Sequence, residues 1–262
     1  MDGVKQKISM SVFRETYYIY RRNLRVWLVP ATFLPPLFMS GLLYVLFAST
    51  FTEVTNLGGF STEDYSAFLV SWIIVQAVVF SGGDAGFALL TDMMSGYFDK
   101  LLLAPINRFS ILFGSLLVAA TRGMLQAVVI IAIALALGVS FQGGILGILT
   151  LILFAAVFGL AWSCLSIIIA LKTKSVQATQ SSFLLFFPFI FITTAFVPEE
   201  LLSGWFKVAV KVNPVTYVTE AMRAIVIEGW EWSTIITGLW VTVVMVGFLM
   251  IVTTWLFRRA TA

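Results

Sequence analysis

Ile145-Leu-Gly-Ile-Leu-Thr-Leu-Ile-Leu-Phe-Ala-Ala-Val-Phe-Gly-Leu-Ala-Trp-Ser-Cys-Leu-Ser-Ile-Ile-Ile-Ala170 contains no charged residue. As a helix rising ~1.5 Å per residue it is longer than the ~30 Å hydrocarbon core of a bilayer. On either side lie apolar runs at 109–138 and 176–197, and beyond them runs at 28–50, 67–90 and 233–257. Each is near the roughly 20 residues that a membrane crossing requires. The run at 109–138 is longer than needed, which predicts a tilted helix or one projecting beyond one face. Pro30, Pro35 and Pro36 predict a late start or a kink in the first span.

The whole composition agrees. Of the 262 residues 60% are hydrophobic and 11% charged, and the mean hydropathy is +1.00. A soluble domain is nearer half apolar and a quarter charged, so too few polar side chains remain to cover a water-facing surface. The 24 Phe and 8 Trp fit lipid-facing and interfacial positions. Cys164 is the single cysteine, which excludes an intramolecular disulfide and a cysteine metal cluster. Histidine is absent, removing the usual general base, zinc ligand and pH switch. No catalytic site is expected on this chain, although carboxylate or Ser–Lys chemistry is not excluded. The first apolar span begins near Trp27, too far from Met1 for a usual cleavable leader, and no small-x-small site follows it.

The net charge of +3 is distributed by loop. Residues 1–27 carry Lys5, Lys7, Arg14, Arg21, Arg22 and Arg25. Loop 91–108 carries Lys100 and Arg108, loop 171–175 carries Lys172 and Lys174, and the tail carries Arg258 and Arg259. Loop 51–66 has Glu53, Glu63 and Asp64 with no base, and loop 139–144 has no charge. The positive-inside rule places both termini in the cytosol, consistent with an even number of spans. This distribution reads as membrane topology, with no nucleic-acid partner. At 100° per residue, Ile8, Val12, Phe13, Tyr17, Ile19, Tyr20, Leu24 and Trp27 share one half of a helix over 5–27, and Lys7, Arg14, Arg21, Arg22 and Arg25 share the other. That is an amphipathic helix suited to the lipid headgroup plane.

Segment 198–232 then lies outside, but is too apolar for a free loop. Asn213-Pro214 predicts an N-cap and first helical residue, and Gly229 a stop. A helix over 214–228 places Val218, Ala221, Met222 and Ile225 on one face. The predicted fold is an all-α integral membrane domain over 1–262. It has six transmembrane helices within 28–257, an N-terminal interface helix over 1–27, two short re-entrant helices in the outer leaflet, and a cytosolic tail at 258–262.

Two further stretches carry a resemblance. One is Asp92-Met-Met-Ser-Gly96-Tyr-Phe-Asp-Lys-Leu101-Leu-Leu-Ala-Pro105-Ile-Asn-Arg108. The other is Phe196-Val-Pro198, followed by Asn213-Pro-Val-Thr-Tyr217-Val-Thr-Glu-Ala-Met-Arg223. In order, spacing and membrane side they resemble the permease subunits of type-2 ATP-binding-cassette exporters, in particular the daunorubicin-resistance-type drug-export permeases. Met93-Met94 departs from the Arg-Glu often found before the family's Ser-Gly. The resemblance implies a separate ATP-binding-cassette ATPase subunit that binds ATP and Mg, a second permease copy or paralogue, and a multi-pass location in a prokaryotic plasma membrane. The chain has no G-x-x-x-x-G-K-[ST] loop with which to hold ATP itself.

On that resemblance, a short helix near 93–103 is the candidate lever against the ATPase. Gly96 precedes it, and Tyr97, Phe98 and Leu101 fill a cleft with Asp99 and Lys100 at the rim. Pro105 ends the helix and Arg108 opens the next span. Arg14, Arg21, Arg22 and Arg25 offer a second contact. Within the membrane, Arg122 lies ~21 Å along the helix from Arg108, near mid-bilayer, and Asp84 lies nearer the cytosolic end. Their depths differ by about 10 Å, so pairing requires Arg122 to reach down. Both are candidates for a polar point on the export path. Phe187, Phe191 and Phe196, in a run that also holds Phe183 and Phe186, are candidates for an aromatic gate or for lipid-facing filler. Tyr217, Glu220 and Arg223 are candidates at the outer end, where Glu220 and Arg223, three apart, are also placed to pair. The expected function is outward transport of hydrophobic or amphiphilic molecules, drug-like or lipid-like. Lipid-linked polysaccharide export is the alternative cargo, and an intramembrane enzyme or ion-coupled carrier the alternative class. No internal repeat favours a carrier, and no intramembrane pair of acids favours a protease.

Overall fold

The computed structural model describes residues 2–57 and 60–260, with side chains except those of 2–11, 56, 57, 181–183, 185 and 186. Lys5, Lys7, Ile8, Phe183 and Phe186 therefore lie outside the described side chains. The first helix, α1 (Asp2–Trp27), stops where Pro30 demands an extended predecessor: Val29 has φ −61 and ψ 134. Pro30 then opens α2 (Pro30–Thr50), whose interior holds Pro35 and Pro36. Pro36 has no N–H for the Thr32 carbonyl, and the Arg122 guanidinium donates to that carbonyl instead, at 3.3 Å.

Asp64 caps α3 (Tyr65–Gly82) by accepting from the Ser66 amide at 2.8 Å. Past Gly83 the chain continues as α4 (Asp84–Met94), then the short α5 (Tyr97–Leu103). Asn107 caps α6 (Arg108–Ala136), and Ser175 caps α8 (Val176–Phe191), with α7 (Gly144–Thr173) between them. The remaining helices are α9 (Gly204–Val212), α10 (Pro214–Ile227) and α11 (Trp232–Ala260). No strand occurs among the described residues.

Five helical stretches are long and apolar enough to cross a membrane: 30–50, 65–94, 108–136, 144–173 and 232–260. They coincide with five of the six expected spans. The expected span at 176–197 differs, because α8 has 16 residues and gives way at Ile192 to an irregular strip reaching Val197. Pro188 lies inside its last turn. The helix expected over 214–228 is found as α10, with Val218, Ala221, Met222 and Ile225 all fully buried.

α3 is apolar all round because it is enclosed all round. It packs against α2, α6, α7 and α10, and almost every side chain from Ala67 to Val79 is buried. α6 and α7, with 29 and 30 residues, exceed the ~20 of a crossing. α1 lies beside the first turns of α6: Asn23 donates to Ser115 at 3.1 Å, and the Tyr20 and Thr121 hydroxyls are 3.0 Å apart. A second core unites α1, α4, α5, α6, α7 and α11 through Ile19, Leu89, Phe98, Leu116, Ile167 and Phe257. Exposed apolar belts run along α2 (Leu34, Phe38, Leu42, Leu46) and α11 (Ile236, Trp240, Phe248, Ile251), surfaces suited to lipid. The bundle has a basic end, where α1, α5 and the ends of α7 and α11 meet. The opposite, acidic end carries Glu199, Glu200, Glu228 and Glu231, and its Lys211 pairs with Glu199 at 3.0 Å.

Candidate functional site

Asp84 and Arg122 meet. The Arg122 Nη2 lies 2.8 Å from the Asp84 Oδ2, so the two long side chains close the depth difference expected along the helices. The same Nη2 serves Thr32, which sets the pair level with the first turn of α2 rather than at the middle of the span. The pair is asymmetric: Arg122 is 3% exposed and Asp84 33%. Asp84 faces a cavity of about 550 Å³ bounded by Trp27, Thr32, Pro35, Pro36, Phe80, Phe87, Thr179 and Gln180.

α4 is held against α7 at this point by close backbone contact. The Ser166 hydroxyl donates to the Gly83 carbonyl (2.5 Å) and accepts from the Gly86 amide (3.0 Å). A Cβ on Gly86 would stand 2.3 Å from the Ser166 carbonyl oxygen, so only glycine fits.

From this cavity a file of rings leads towards the acidic end. Phe80 contacts Phe187 (6.2 Å between centroids), Phe187 stacks on Phe191 (5.3 Å), and Phe191 meets Trp72 (5.7 Å). Trp72 in turn lies 4.8 Å from Phe196. The three candidate phenylalanines thus share one column, organised by Trp72, a residue that sequence reasoning did not single out. The Trp72 Nε1 donates to the Ile190 carbonyl at 2.9 Å.

The carbonyls freed where α8 ends are satisfied by side chains from elsewhere. The Asn213 Nδ2 donates to Phe189 (2.7 Å) and Ile192 (2.6 Å), and the Tyr65 hydroxyl to Phe196 (3.1 Å). The Arg223 Nη2 donates to Thr194 (2.6 Å), while its Nε donates to Phe68 and its guanidinium lies 3.6 Å from the Phe68 ring centre. Arg223 is thus a buried splint for the broken backbone. It does not form the direct pair with Glu220 that their spacing suggested, because Thr194 stands between them. Its hydroxyl accepts from Arg223 (3.3 Å) and donates to Glu220 (3.2 Å). Tyr217 is also structural, its hydroxyl holding the Lys211 carbonyl at 2.8 Å. Glu220 and Arg223 line a second cavity of about 510 Å³ at the acidic end, with Phe68, Glu199, Glu200 and Glu228.

At the basic end Gly96 (φ +68) turns the chain from α4 into α5, a left-handed conformation natural to glycine. Ala104 is extended before Pro105, which ends α5 as expected. The orientation of α5 departs from the expectation. Phe98 is buried against Phe257 (5.8 Å), Leu101 packs on the same core, and Tyr97 lies under the Arg22 guanidinium (4.0 Å). The outward face of α5 is Asp99, Lys100 and Leu103 (88% exposed), followed by Pro105 and Arg108, and Met94 (74% exposed) stands out at the end of α4 just before the turn. Met94 and Leu103 were not foreseen, although Leu103 lies four and three residues beyond Asp99 and Lys100 on the same helix. Arg22 also leaves the basic face of α1. It grips Asp92 through two bonds of 2.7 and 2.9 Å, which raises its already high pKa further, whereas Arg14, Arg21 and Arg25 remain exposed. Glu15, likewise not foreseen, accepts from the Asn107 amide (2.9 Å) and the Ser110 hydroxyl (3.1 Å), locking α1 to the start of α6.

This arrangement of paired intramembrane charges, an aromatic file and an exposed short helix coincides with a family match. The sequence profile of the ABC-2 type transporters matches residues 15–227, from the middle of α1 to the end of α10. The chain belongs to the ABC-2 type transporter family. Three relatives of this ABC-2 chain illustrate its range. The daunorubicin resistance ABC transporter permease protein DrrB1 of Streptomyces coeruleorubidus is 29% identical over 205 residues, 77% of this chain and 69% of the relative. The putative transport permease ycf38 of Porphyra purpurea is 29% identical over 210 residues, 79% and 72% of the two chains. The probable doxorubicin resistance ABC transporter permease protein DrrC of Mycobacterium tuberculosis is 26% identical over 205 residues, 78% and 71%. The ABC-2 match covers the first cavity, α5 and the second cavity apart from Glu228 and Thr234.

Proposed function

We propose that this chain is the membrane half of an ATP-driven exporter that moves hydrophobic or amphiphilic molecules outward. A separate ATP-binding-cassette subunit, holding ATP and Mg²⁺, supplies the energy. The observation that carries this reading is α5, a short helix whose inner face is fixed to the bundle and whose outer face offers Leu103 with Asp99 and Lys100 at the rim, next to Met94 exposed at the end of α4. An apolar side chain 88% exposed beside charges is the form of a docking knob. The names of two relatives, which refer to daunorubicin and doxorubicin resistance, support drug-like cargo.

In this reading α2, α3–α4, α6, α7, α8 with strip 192–197, and α11 make six crossings. α9 and α10 dip into the outer leaflet, the basic end is cytosolic, and two permease copies enclose the path. Closure of the ATPases pushes α5. Because Arg22 ties α1 to Asp92 at the end of α4, the push carries α1 and α4 together and shifts the inward-facing to outward-facing equilibrium. The aromatic file seals the path between the two cavities while they exchange access.

The test is reconstitution with the ATPase. The double substitution Met94→Asp and Leu103→Asp is expected to abolish co-purification and ATP-dependent export, with the chain still folded because both side chains are exposed. Full assembly and transport by that variant would remove α5 as the coupling element.

A further inference from the structure

We propose that the cavity beside Asp84 is a binding site for organic cations, molecules carrying a protonated or quaternary amine, or an equivalent onium centre, on an apolar body. The volume of about 550 Å³ is that of a small-molecule site. Its walls combine Trp27, Phe80 and Phe87 with one ionisable side chain among the described residues, the Asp84 carboxylate. Arg122 is 3% exposed and stands behind that carboxylate, so the cavity meets the negative end of the ion pair. Arg122 occupies Oδ2, and no donor among the described residues occupies Oδ1. Trp27 and Phe87 approach edge to face at 6.2 Å, giving the cavity two aromatic walls at an angle. Aromatic faces and an open carboxylate in an apolar site attract a cation and repel an anion, and both effects strengthen as water is excluded.

A purely structural role for the pair explains why Arg122 is buried, since the guanidinium restores the donor that Pro36 lacks. It explains neither the exposure of Asp84 nor the aromatic lining around it. The proposal names the cargo class for the export reading above and rests on that reading for its purpose, but occupancy of the cavity can be measured without transport.

The probes are tetraphenylphosphonium and tetraphenylborate, which share a shape and differ in charge, applied to the full chain in nanodiscs with empty discs subtracted. Tetraphenylphosphonium is expected to bind saturably and at least about tenfold more tightly than tetraphenylborate. Asp84→Asn is expected to lose that preference, and Trp27→Leu to weaken the cation several-fold while leaving the borate unchanged. Should Asp84→Asn fail to fold, Asp84→Asn with Arg122→Met removes the pair as a unit and is expected to lose the preference too. Equal binding of the two probes, or cation binding unchanged in the folded Asp84 variants, overturns the proposal. With the ATPase present, export of neutral amphiphiles without cation binding rejects this site and keeps the export reading. Cation binding that depends on Asp84, without ATP-dependent export of any amphiphile, supports the site and rejects the export reading.

Discussion

Asn213 does two jobs that substitution can separate. Its Oδ1 caps α10 by accepting from Val215 at 3.0 Å, and its Nδ2 donates to the Phe189 and Ile192 carbonyls where α8 ends. Asn213→Ser keeps a short acceptor for the cap and deletes both donors. A buried acceptor left without a partner costs ~1–3 kcal/mol, and since both bonds are part-buried the expected loss is about 2–4 kcal/mol in total. Asn213→Ala removes the cap as well, adding ~0.5–2 kcal/mol. For a chain of this size 1 kcal/mol corresponds to ~2–4 °C in Tm, so Asn213→Ser is expected to unfold about 4–16 °C lower. Asn213→Asp keeps the cap but sets a carboxylate against two carbonyl oxygens at Nδ2 distances of 2.6 and 2.7 Å. That variant is expected to be the least stable of the three at neutral pH and to recover as the carboxyl protonates. The assay is thermal unfolding in detergent followed by tryptophan fluorescence, with hydrogen exchange over 189–197 to locate the loosening. A Tm for Asn213→Ser within a degree or so of the parent chain, or an Asn213→Asp chain fully stable at pH 7, would refute the splint.

Removal of Asp84 strands a 3% exposed guanidinium and is expected to cost ~3–5 kcal/mol in thermal unfolding. Removal of Arg122 strands a carboxylate one third exposed and is expected to cost clearly less than removal of Asp84, and removal of both leaves chiefly the Thr32 carbonyl without its donor, ~1–3 kcal/mol. Gly86→Ala presses a methyl into the Ser166 carbonyl at 2.3 Å and is expected to cost at least ~1–3 kcal/mol. Gly83→Ala, whose Cβ would have nothing nearer than 3.8 Å, is the tolerated control. Glu231 caps α11 by accepting from Ser233 and the Thr234 amide, and these bonds pull its carboxyl from the ordinary range down to about 2. A depressed folded pKa means that the cap's contribution is full above the ordinary glutamate range and is lost as pH falls towards 2. The Tm difference between the parent chain and Glu231→Gln should therefore shrink over that window.

The spans were legible because an uncharged apolar run longer than a bilayer admits few alternatives, and the α10 start because Asn-Pro is a local signal. α8 was the exception. Hydropathy counts residues without regard to where the backbone breaks, and Pro188 with the carbonyl-binding side chains of Asn213 and Arg223 ends the helix at Phe191. Those partners are more than twenty residues away, beyond the reach of any periodicity. The short helix expected near 93–103 is found as α5 at 97–103, with a different face outward from the one expected. Ranking side chains by apolarity chose Phe98 for the partner, but an apolar residue serves the chain's own core first, and Phe257 from the far end of the sequence supplies that core. The Asp84–Arg122 encounter was half legible, since rise per residue gave the depths but not the reach of two long side chains.

The two breaks in the helical ladder lie at opposite ends of the aromatic file, and each is repaired by side chains rather than by backbone. Ser166 bridges Gly83 and Gly86 beside Asp84, while Asn213, Tyr65 and Arg223 hold strip 189–196 beside the cavity at the acidic end. A backbone hydrogen bond within a helix moves only with its helix. A side-chain bond lets the two backbones shift by changes in rotamer while every carbonyl keeps a donor. On the export reading proposed above, first one end and then the other must open without exposing bare carbonyls to lipid, and the positions where this chain has traded backbone for side-chain bonds lie at the two ends of the aromatic file. Hydrogen exchange on the assembled exporter, with and without a non-hydrolysable nucleotide, is therefore expected to change at 81–87 and at 189–197 in opposite senses. Changes of the same sense at both, or confined to the loops, would mean that the breaks are fixed kinks and that opening occurs elsewhere.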